Sequence, residues 1–548
     1  MSLHPHAGQL PTPDMLTDVP TLVSAYYTDF PSPTEPSQRV SFGTSGHRGS
    51  SLDCSFNEEH IYAIAQAVCD YRASHGIKGP LFLGGDSHAL SCPAFRSALE
   101  VLVANGVHVF MAPEGEYTAT PVISHAILSW NAEHTGSAQA DGIIITPSHN
   151  PPRDGGFKYN PPHGGPAETE VTSWIERRAN EHLETSNRAV QIMHYRAARQ
   201  AAQVKVYDFT SRYVDDLADV LNMEAIAASG LSLGVDPLGG ASLPLWEPIA
   251  HKYGLALTVV NTEVDPSFRF VPCDKDGKIR MDCSSPYAMS RLLGLRDRFD
   301  LAFACDPDAD RHGIVTRSEL MNPNHFLSAA SWYLFRSRTQ WGKGCGIGKT
   351  LVTSAMLDRV GEELGRPVVE VPVGFKWFVP YLYSGRCAFG CEESAGASFL
   401  TRDGRPWSTD KDGPLLCLLA AEMMASEGKS PSEIYAGLTE RHGAPRYQRL
   451  DAPADDRVRR LLKGLDAAHI DLRELAGDPV ESVITRAPGN DAPIGGVKIT
   501  SRRGWFAVRP SGTEPICKVY TESFGDEEHL RRLQKDAIDF LDRLLQNA

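Results

Sequence analysis

Ile143-Ile144-Ile145-Thr146-Pro147-Ser148-His149-Asn150-Pro151-Pro152-Arg153-Asp154-Gly155-Gly156-Phe157-Lys158-Tyr159-Asn160 begins as an apolar, β-branched run and ends in a turn fenced by prolines. A strand that empties into a rigid turn presents its next hydroxyl at the edge of a sheet, where a ligand can reach it. Ser148 is therefore the first candidate nucleophile, with His149 beside it. A serine-hydrolase elbow would need glycines two residues to either side of the serine, and Thr146 and Asn150 stand there instead. A different activator is required.

Working outward, the pattern alternates between helix and strand. Ile61, Ile64, Ala65, Val68 and Tyr71 recur at helical spacing between Asn57 and a stop at Gly76, and Leu81–Leu83 follows as a strand. A helix over Pro93–Asn105 precedes a strand over Val107–Phe110. After a polar helical connector near Ala189–Leu221, strands are predicted at Leu231–Val235, Leu255–Val260 and Leu301–Cys305. Cys345–Ile347, Val368–Val371 and Cys387–Phe389 make a third set, with a helix from Pro414 to Ala425. The C-terminal part changes to successive strands, Ser482–Ile484, Val497–Thr500, Trp505–Val508 and Ile516–Glu522, and a final amphipathic helix from Asp526.

These shifts divide the 548 residues into an N-terminal arm (1–40) and four domains: 41–205, 206–322, 323–440 and 441–548. The arm is polar and proline-rich, and is expected to lie over a domain or to be partly disordered. No apolar run approaches the ~20 residues of a membrane span, and the first forty residues lack signal-peptide regions, so the cytoplasm is the expected location. Eleven cysteines without a C-x-x-C pair point to reduced structural thiols. A net charge of −14 disfavours nucleic acid and anionic membrane as partners.

Two more loops carry chemistry. Asp306-Pro307-Asp308-Ala309-Asp310-Arg311 follows the strand Leu301–Cys305 and sets three carboxylates at alternating positions on a tight turn, suited to one hard cation; Mg²⁺ is the natural occupant. An EF-hand is excluded, because Arg311 replaces the required glycine and Arg317 the bidentate glutamate. Arg509-Pro510-Ser511-Gly512-Thr513-Glu514-Pro515 combines a guanidinium, two hydroxyls and backbone freed by a glycine, the makings of a phosphate cradle. Glu392 and Ser394, after the strand Cys387–Phe389, suit sugar hydroxyls. Gly346-Ile347-Gly348-Lys349-Thr350 fails as a Walker A loop, since Lys343 occupies the place of its first glycine.

Together these segments resemble the α-D-phosphohexomutase family from Phe42 onward, with Thr-Pro-Ser-His-Asn-Pro, Asp-Pro-Asp-Ala-Asp-Arg, Glu-Glu-Ser and Arg-Pro-Ser-Gly-Thr-Glu-Pro in the family's order, one per domain. The resemblance implies an α/β protein: three similar α/β domains with mixed sheets plus a C-terminal α+β domain resembling the TATA-binding protein fold, around one central cleft. That last likeness implies no DNA binding. It further implies that Ser148 is a phosphoserine, that Asp306, Asp308 and Asp310 bind Mg²⁺ with a phosphoserine oxygen of Ser148, and that Arg311 lies beside the transferring phosphoryl group. Glu392, Ser394, Val373 and Gly374 resemble sugar contacts, and Arg509, Ser511, Gly512 and Thr513 the distal phosphate site. Arg48, His149, Lys158 and Lys411 resemble the polar groups around the transfer, with Lys349 as a further candidate. Arg48, His149 and Lys158 all stand open as the general base.

The implied activity is reversible interconversion of glucose 1-phosphate and glucose 6-phosphate through a phosphoserine enzyme, with glucose 1,6-bisphosphate as intermediate and activator. Partners are then small-molecule sugar phosphates, with no nucleic acid and no membrane, and the protein a monomer or homodimer. Two departures from relatives stand out: Cys391 in place of a glycine before the paired glutamates, and Val373 in place of a threonine. The same chemistry on mannose or glucosamine phosphate, a phosphatase, and a non-catalytic sugar-phosphate binder are the alternatives. The pair Glu392-Glu393 resembles the glucose branch.

Overall fold

The computed structural model describes residues 3–43, 46–510 and 516–546, in two compact units. The first unit comprises Met1–Pro323 and Ser394–Ser430, the second Asn324–Glu393 and Pro431–Ala548.

In the first unit the run Asp141–Ile145 is a fully buried strand in the middle of a seven-stranded mixed sheet. It runs parallel to Leu81–Gly85 and antiparallel to Gly155–Asn160, and the sheet continues through Val109–Met111 to Val204–Val206 at one edge and through Gly46–Gly49 to Phe42–Gly43 at the other. The helix Glu58–His75 begins at Asn57 and stops at left-handed Gly76, as the spacing predicts, and packs Ile61, Ile64 and Val68 into the core with Leu99 and Leu102 of the helix Ser91–Ala104. A second mixed sheet orders His312–Val315, Leu301–Cys305, Leu233–Asp236 and Leu257–Val259.

The arm is ordered. His4 and Gly8 donate backbone hydrogen bonds to Lys275 and Cys273, and the helix Val19–Thr28, capped by Asp18, buries Leu22 and Tyr26. The helical connector expected near 189–221 holds the helices Tyr195–Gln200 and Phe209–Val220, with the short edge strand Val204–Val206 between them.

In the second unit Val368–Val371, Gly346–Thr350 and Cys387–Glu392 are parallel neighbours. The C-terminal segment is a six-stranded antiparallel sheet in the order Arg446–Pro453, Ile516–Ser523, Gly504–Pro510, Pro493–Ser501, Asp478–Arg486, Glu474–Leu475. The helix Glu527–Gln546 buries Leu530, Leu533, Ala537 and Phe540 in the core of that sheet. All eleven cysteines are free thiols, and among the described residues no helix is long and apolar enough to cross a membrane.

Glycine is obligatory where the Ser148 loop folds back on its own strand. A Cβ on Gly156 would stand 2.1 Å from the carbonyl oxygen of Thr146, whose own N–H donates to the Gly156 carbonyl at 2.8 Å. Gly156→Ala is expected to cost about 1–3 kcal/mol, the range for an overfilled core. Chemical denaturation read by tryptophan fluorescence checks this, and an unchanged midpoint would contradict it.

Candidate functional site

Both chemistry-bearing loops of the first unit leave the C-terminal ends of sheet strands, and each contains a non-glycine residue in the left-handed region: Ser148 at φ 63° and Ala309 at φ 59°. Side chains other than glycine occupy that region at a cost, which persists where surrounding bonds over-determine the backbone. For Ser148 one such bond runs from its N–H to Thr146 Oγ1 at 2.8 Å. The Asp306 loop is gripped on three sides. Thr120 N–H, at the start of the helix Thr120–Glu133, donates to the Asp308 carbonyl, Ala241 N–H to the Pro307 carbonyl, and Gly413 N–H, at the start of the helix Gly413–Glu427, to the Ala309 carbonyl. Gly413 has no room for a side chain, because a Cβ would lie 2.2 Å from the Arg311 carbonyl.

The two loops meet at Ser148 Oγ, which donates to Asp306 Oδ2 at 2.9 Å and lies 3.4 Å from His149 Nδ1. Ser148 is 1% exposed, and Asp306, Asp308 and Asp310 are 0%, 0% and 1% exposed. Oxygens of the three carboxylates all lie within 4.8 Å of one another. Lys158 Nζ donates to Asp308 Oδ2 at 2.6 Å and to Asp310 Oδ2 at 3.1 Å, Lys411 Nζ sits 2.9 Å from Asp310 Oδ2, and Thr120 Oγ1 donates to Asp308 Oδ2 at 2.6 Å. Arg311 turns its Nε toward Asp310 Oδ1 at 3.8 Å and Asp306 Oδ2 at 4.0 Å. Lys411 reaches the site over Gly396, where a Cβ would stand 2.2 Å from its Cδ.

Charge decides what the pocket can hold. Burial and then the neighbouring Asp308 and Asp310 charges push the Asp306 carboxyl well above its ordinary range. Burial raises Asp310 too, but Lys158, Lys411 and Arg311 outweigh it and hold that carboxyl below its ordinary value. Burial lowers Lys158, and Asp308 and Asp310 more than restore it, so its ammonium keeps its proton. His149 is pushed well below its ordinary value by burial and then by the Arg311 charge, and Arg48 is lowered by the same two causes.

The donor set fits a hard divalent cation. It consists of carboxylate oxygens alone, and Asp308 Oδ1 and Asp310 Oδ1 are buried without a hydrogen-bond partner. Three carboxylates face three side-chain cations, so a dianionic phosphoserine and a divalent cation together leave the balance unchanged.

Of the other expected residues, Arg48 Nη1 donates to Asn150 Oδ1 at 3.1 Å in the first unit, and Ser394 opens the segment that returns to that unit. In the second unit Gly374, at φ 126°, donates its N–H to Glu392 Oε1 at 3.0 Å, with Val373 beside it half-buried. Arg509 lies inside the strand Gly504–Pro510, paired with Lys518, where a loop residue is expected, and its side chain lies beside Tyr520. Ser511, Gly512 and Thr513 fall outside the described residues. Lys349 is 1% exposed within the strand Gly346–Thr350, and its ammonium faces Asp358 and Glu370. Sequence reasoning missed Asp86, His88 and Thr120. The first two stand directly after the strand Leu81–Gly85, the same strand-end placement that marks Ser148 and Asp306.

Models of the phosphoglucomutase/phosphomannomutase family match four stretches: alpha/beta/alpha domain I over residues 39–186, domain II over 211–319, domain III over 322–442 and the C-terminal domain over 458–540. The chain is 55% identical to the phosphoglucomutase of Komagataeibacter xylinus over 548 residues, 100% of this chain and 99% of that one. It is 26% identical to the cytoplasmic phosphoglucomutase of Bromus inermis over 424 residues, 72% of this chain and 70% of the relative. Among solved structures, a putative phosphomannomutase from Thermus thermophilus superposes with a TM-score of 0.72 at 25% identity, covering 94% of this chain and 100% of the other. Parafusin from Paramecium, in an open form, shares the fold with a TM-score of 0.71 at 21% identity, over 94% and 96% of the two chains.

Proposed function

This chain belongs to the phosphoglucomutase/phosphomannomutase family, and from that premise we propose that it interconverts glucose 1-phosphate and glucose 6-phosphate with Ser148 as the phosphoryl carrier. The observation that carries the proposal is the Ser148 hydroxyl, 2.9 Å from Asp306 in a buried, oxygen-only carboxylate triad. Asp306, Asp308 and Asp310 would hold Mg²⁺, which when bound supplies Lewis-acid polarisation of a phosphoryl oxygen.

The chain's own residues do the rest. Ser148, its backbone held in a left-handed turn by the bond from its N–H to Thr146, aims its oxygen at the triad. Arg311 and Lys411 neutralise charge on the transferring group, which spreads over its equatorial oxygens. A proton must also leave the attacking sugar hydroxyl. Lys158 is committed to two carboxylates and a guanidinium does not give up its proton, so we assign that role to His149, whose Nδ1 lies 3.4 Å from the Ser148 hydroxyl. Burial of Ser148 and the triad keeps water from competing with the sugar.

Phosphoenzyme donates to either monophosphate, glucose 1,6-bisphosphate reverses, and Ser148 recovers the other phosphate. Glu392, Ser394 and the Val373-Gly374 turn take the sugar hydroxyls, and Arg509 with Ser511, Gly512 and Thr513 takes the distal phosphate. Lys349 has a supporting role, because carboxylates already satisfy its ammonium. Arg509→Ala should raise KM by about 10- to 100-fold, the worth of a charge-assisted hydrogen bond. Steady-state kinetics with an unchanged KM would remove Arg509 from the site.

The function itself is tested by incubating the protein with glucose 1-phosphate, Mg²⁺ and a trace of glucose 1,6-bisphosphate. Glucose 6-phosphate should accumulate with little inorganic phosphate, and kcat/KM should exceed that for mannose and glucosamine phosphates. Phosphate release that keeps pace with isomer formation would mark a hydrolase instead.

A further inference from the structure

Beneath the Ser148 loop lies a buried ion pair that the transfer chemistry leaves unused. Asp86 Oδ2 accepts from Thr146 Oγ1 at 2.6 Å and from His88 Nδ1 at 2.8 Å. Its Oδ1 accepts from Ser91 Oγ at 2.6 Å and from the His88 N–H at 3.0 Å. With four donors turned toward it, Asp86 is an ionised carboxylate. The other ring nitrogen of His88, Nε2, faces the backbone carbonyl of Asn150 at 3.0 Å. A carboxylate and a carbonyl only accept, so both ring nitrogens must donate and the ring is an imidazolium.

Both side chains are completely buried. Asp154, in the same loop as Ser148, is the other charged group felt by His88, and the Phe268 ring lies 4.9 Å from the imidazole. Burial is the largest influence and lowers His88, but the Asp86 charge, the hydrogen bonds to Asp86 and Asn150 and the Asp154 charge together outweigh it and hold the imidazolium above its ordinary value of 6.5.

We propose that the Asp86–His88 pair is the positioning element of the phosphoryl-carrying loop: it ties down Thr146 on one side of Ser148 and Asn150 on the other, and so keeps Ser148 left-handed with its oxygen toward Asp306. The inference rests on the reading of Ser148 as phosphoryl carrier. Neither residue touches the reacting atoms, and both act through the peptides that flank them. Asn150 passes the constraint on, since its Oδ1 accepts from Arg48 and its Nδ2 donates to Asp154 Oδ2 at 3.0 Å. Thr146 and Asn150 supply the restraint that a serine at φ 63° needs.

The test uses the full-length protein. His88→Ala should lower kcat by about 10- to 100-fold, the effect of a reacting group displaced by about an ångström, with KM within about threefold of wild type. The double variant Asp86→Asn/His88→Ala should be no slower than the worse single variant, because both act through one element. In the wild type, the clamp is fully engaged below pH 6.5 and is lost as pH rises through the higher folded value. Hydrogen exchange of the amides around Ser148, corrected for intrinsic rate, should therefore lose protection across that window, a readout that does not depend on the variants folding. Wild-type kcat in His88→Ala together with pH-independent protection would overturn the clamp. Failure of the wild type to turn over glucose 1-phosphate would instead sink the carrier reading on which it rests.

Discussion

Ser148→Ala should lower turnover of glucose 1-phosphate by about 10⁴-fold or more, the loss seen when a covalent nucleophile is removed. Among the described residues, the other hydroxyl bonded to the triad is Thr120 Oγ1, which is fully buried and committed to Asp308 at 2.6 Å, so it offers no substitute. The fold should survive, because the substitution removes one hydrogen bond worth about 1 kcal/mol. A companion variant separates chemistry from strain. Ser148→Gly relieves the left-handed backbone and should be about 1 kcal/mol more stable than Ser148→Ala while remaining equally inactive. If Ser148→Ala turned over at wild-type rate, the hydroxyl would have no part in the reaction.

The second large effect concerns the carboxylates. Asp310→Asn keeps an oxygen for Lys158 and Lys411 but removes the charge, and should cost about 10³-fold in kcat, because stabilisation of the transferring phosphoryl group falls with the cation it helps to hold. Chelation of the wild type should abolish turnover, and added Mg²⁺ should restore it. Burial and charge crowding raise the Asp306 carboxyl, and a divalent cation relieves that crowding, so Mg²⁺ should also raise the thermal midpoint. Full activity after exhaustive chelation, or a midpoint indifferent to Mg²⁺, would contradict the assignment.

Two strands form over the residues the pattern predicts: the apolar, fully buried Leu301–Cys305 and the valine-rich Val368–Val371. Expectation and structure diverge where polar residues continue a strand. Cys387–Glu392 runs past Phe389 because Gly390 and Cys391 go on pairing with Gly348 and Lys349, and the strand Gly504–Pro510 runs on because Lys518 and Cys517 continue its pairing. Arg446–Pro453 escaped notice because its exposed positions include Arg446, Gln448, Arg449 and Asp451, which read as loop. Val204–Val206 is three residues long, with an exposed Lys205 between its valines.

The site divides along the same line. Ser148, the three aspartates and Arg311 stand in contiguous motifs at strand ends, where residue type and spacing already specify the chemistry. Lys411 emerged from the family resemblance alone, since nothing in its own neighbourhood announces a partner 101 residues away at Asp310. The support of the loop was invisible for the same reason: Thr146 meets Asp86 across 60 residues, and His88 meets Asn150 across 62. Nothing in the sequence singles out Gly156, Gly396 and Gly413; the folded chain shows the backbone or lysine side chain that passes within a Cβ's reach of each.

The most direct measurement is to incubate the protein with glucose 1,6-bisphosphate carrying labelled phosphoryl groups, digest it, and locate the label by mass spectrometry. The account predicts stoichiometric label on the peptide containing Ser148, released when glucose 1-phosphate or glucose 6-phosphate is added. Label on any other side chain, or turnover without a labelled enzyme, would contradict it.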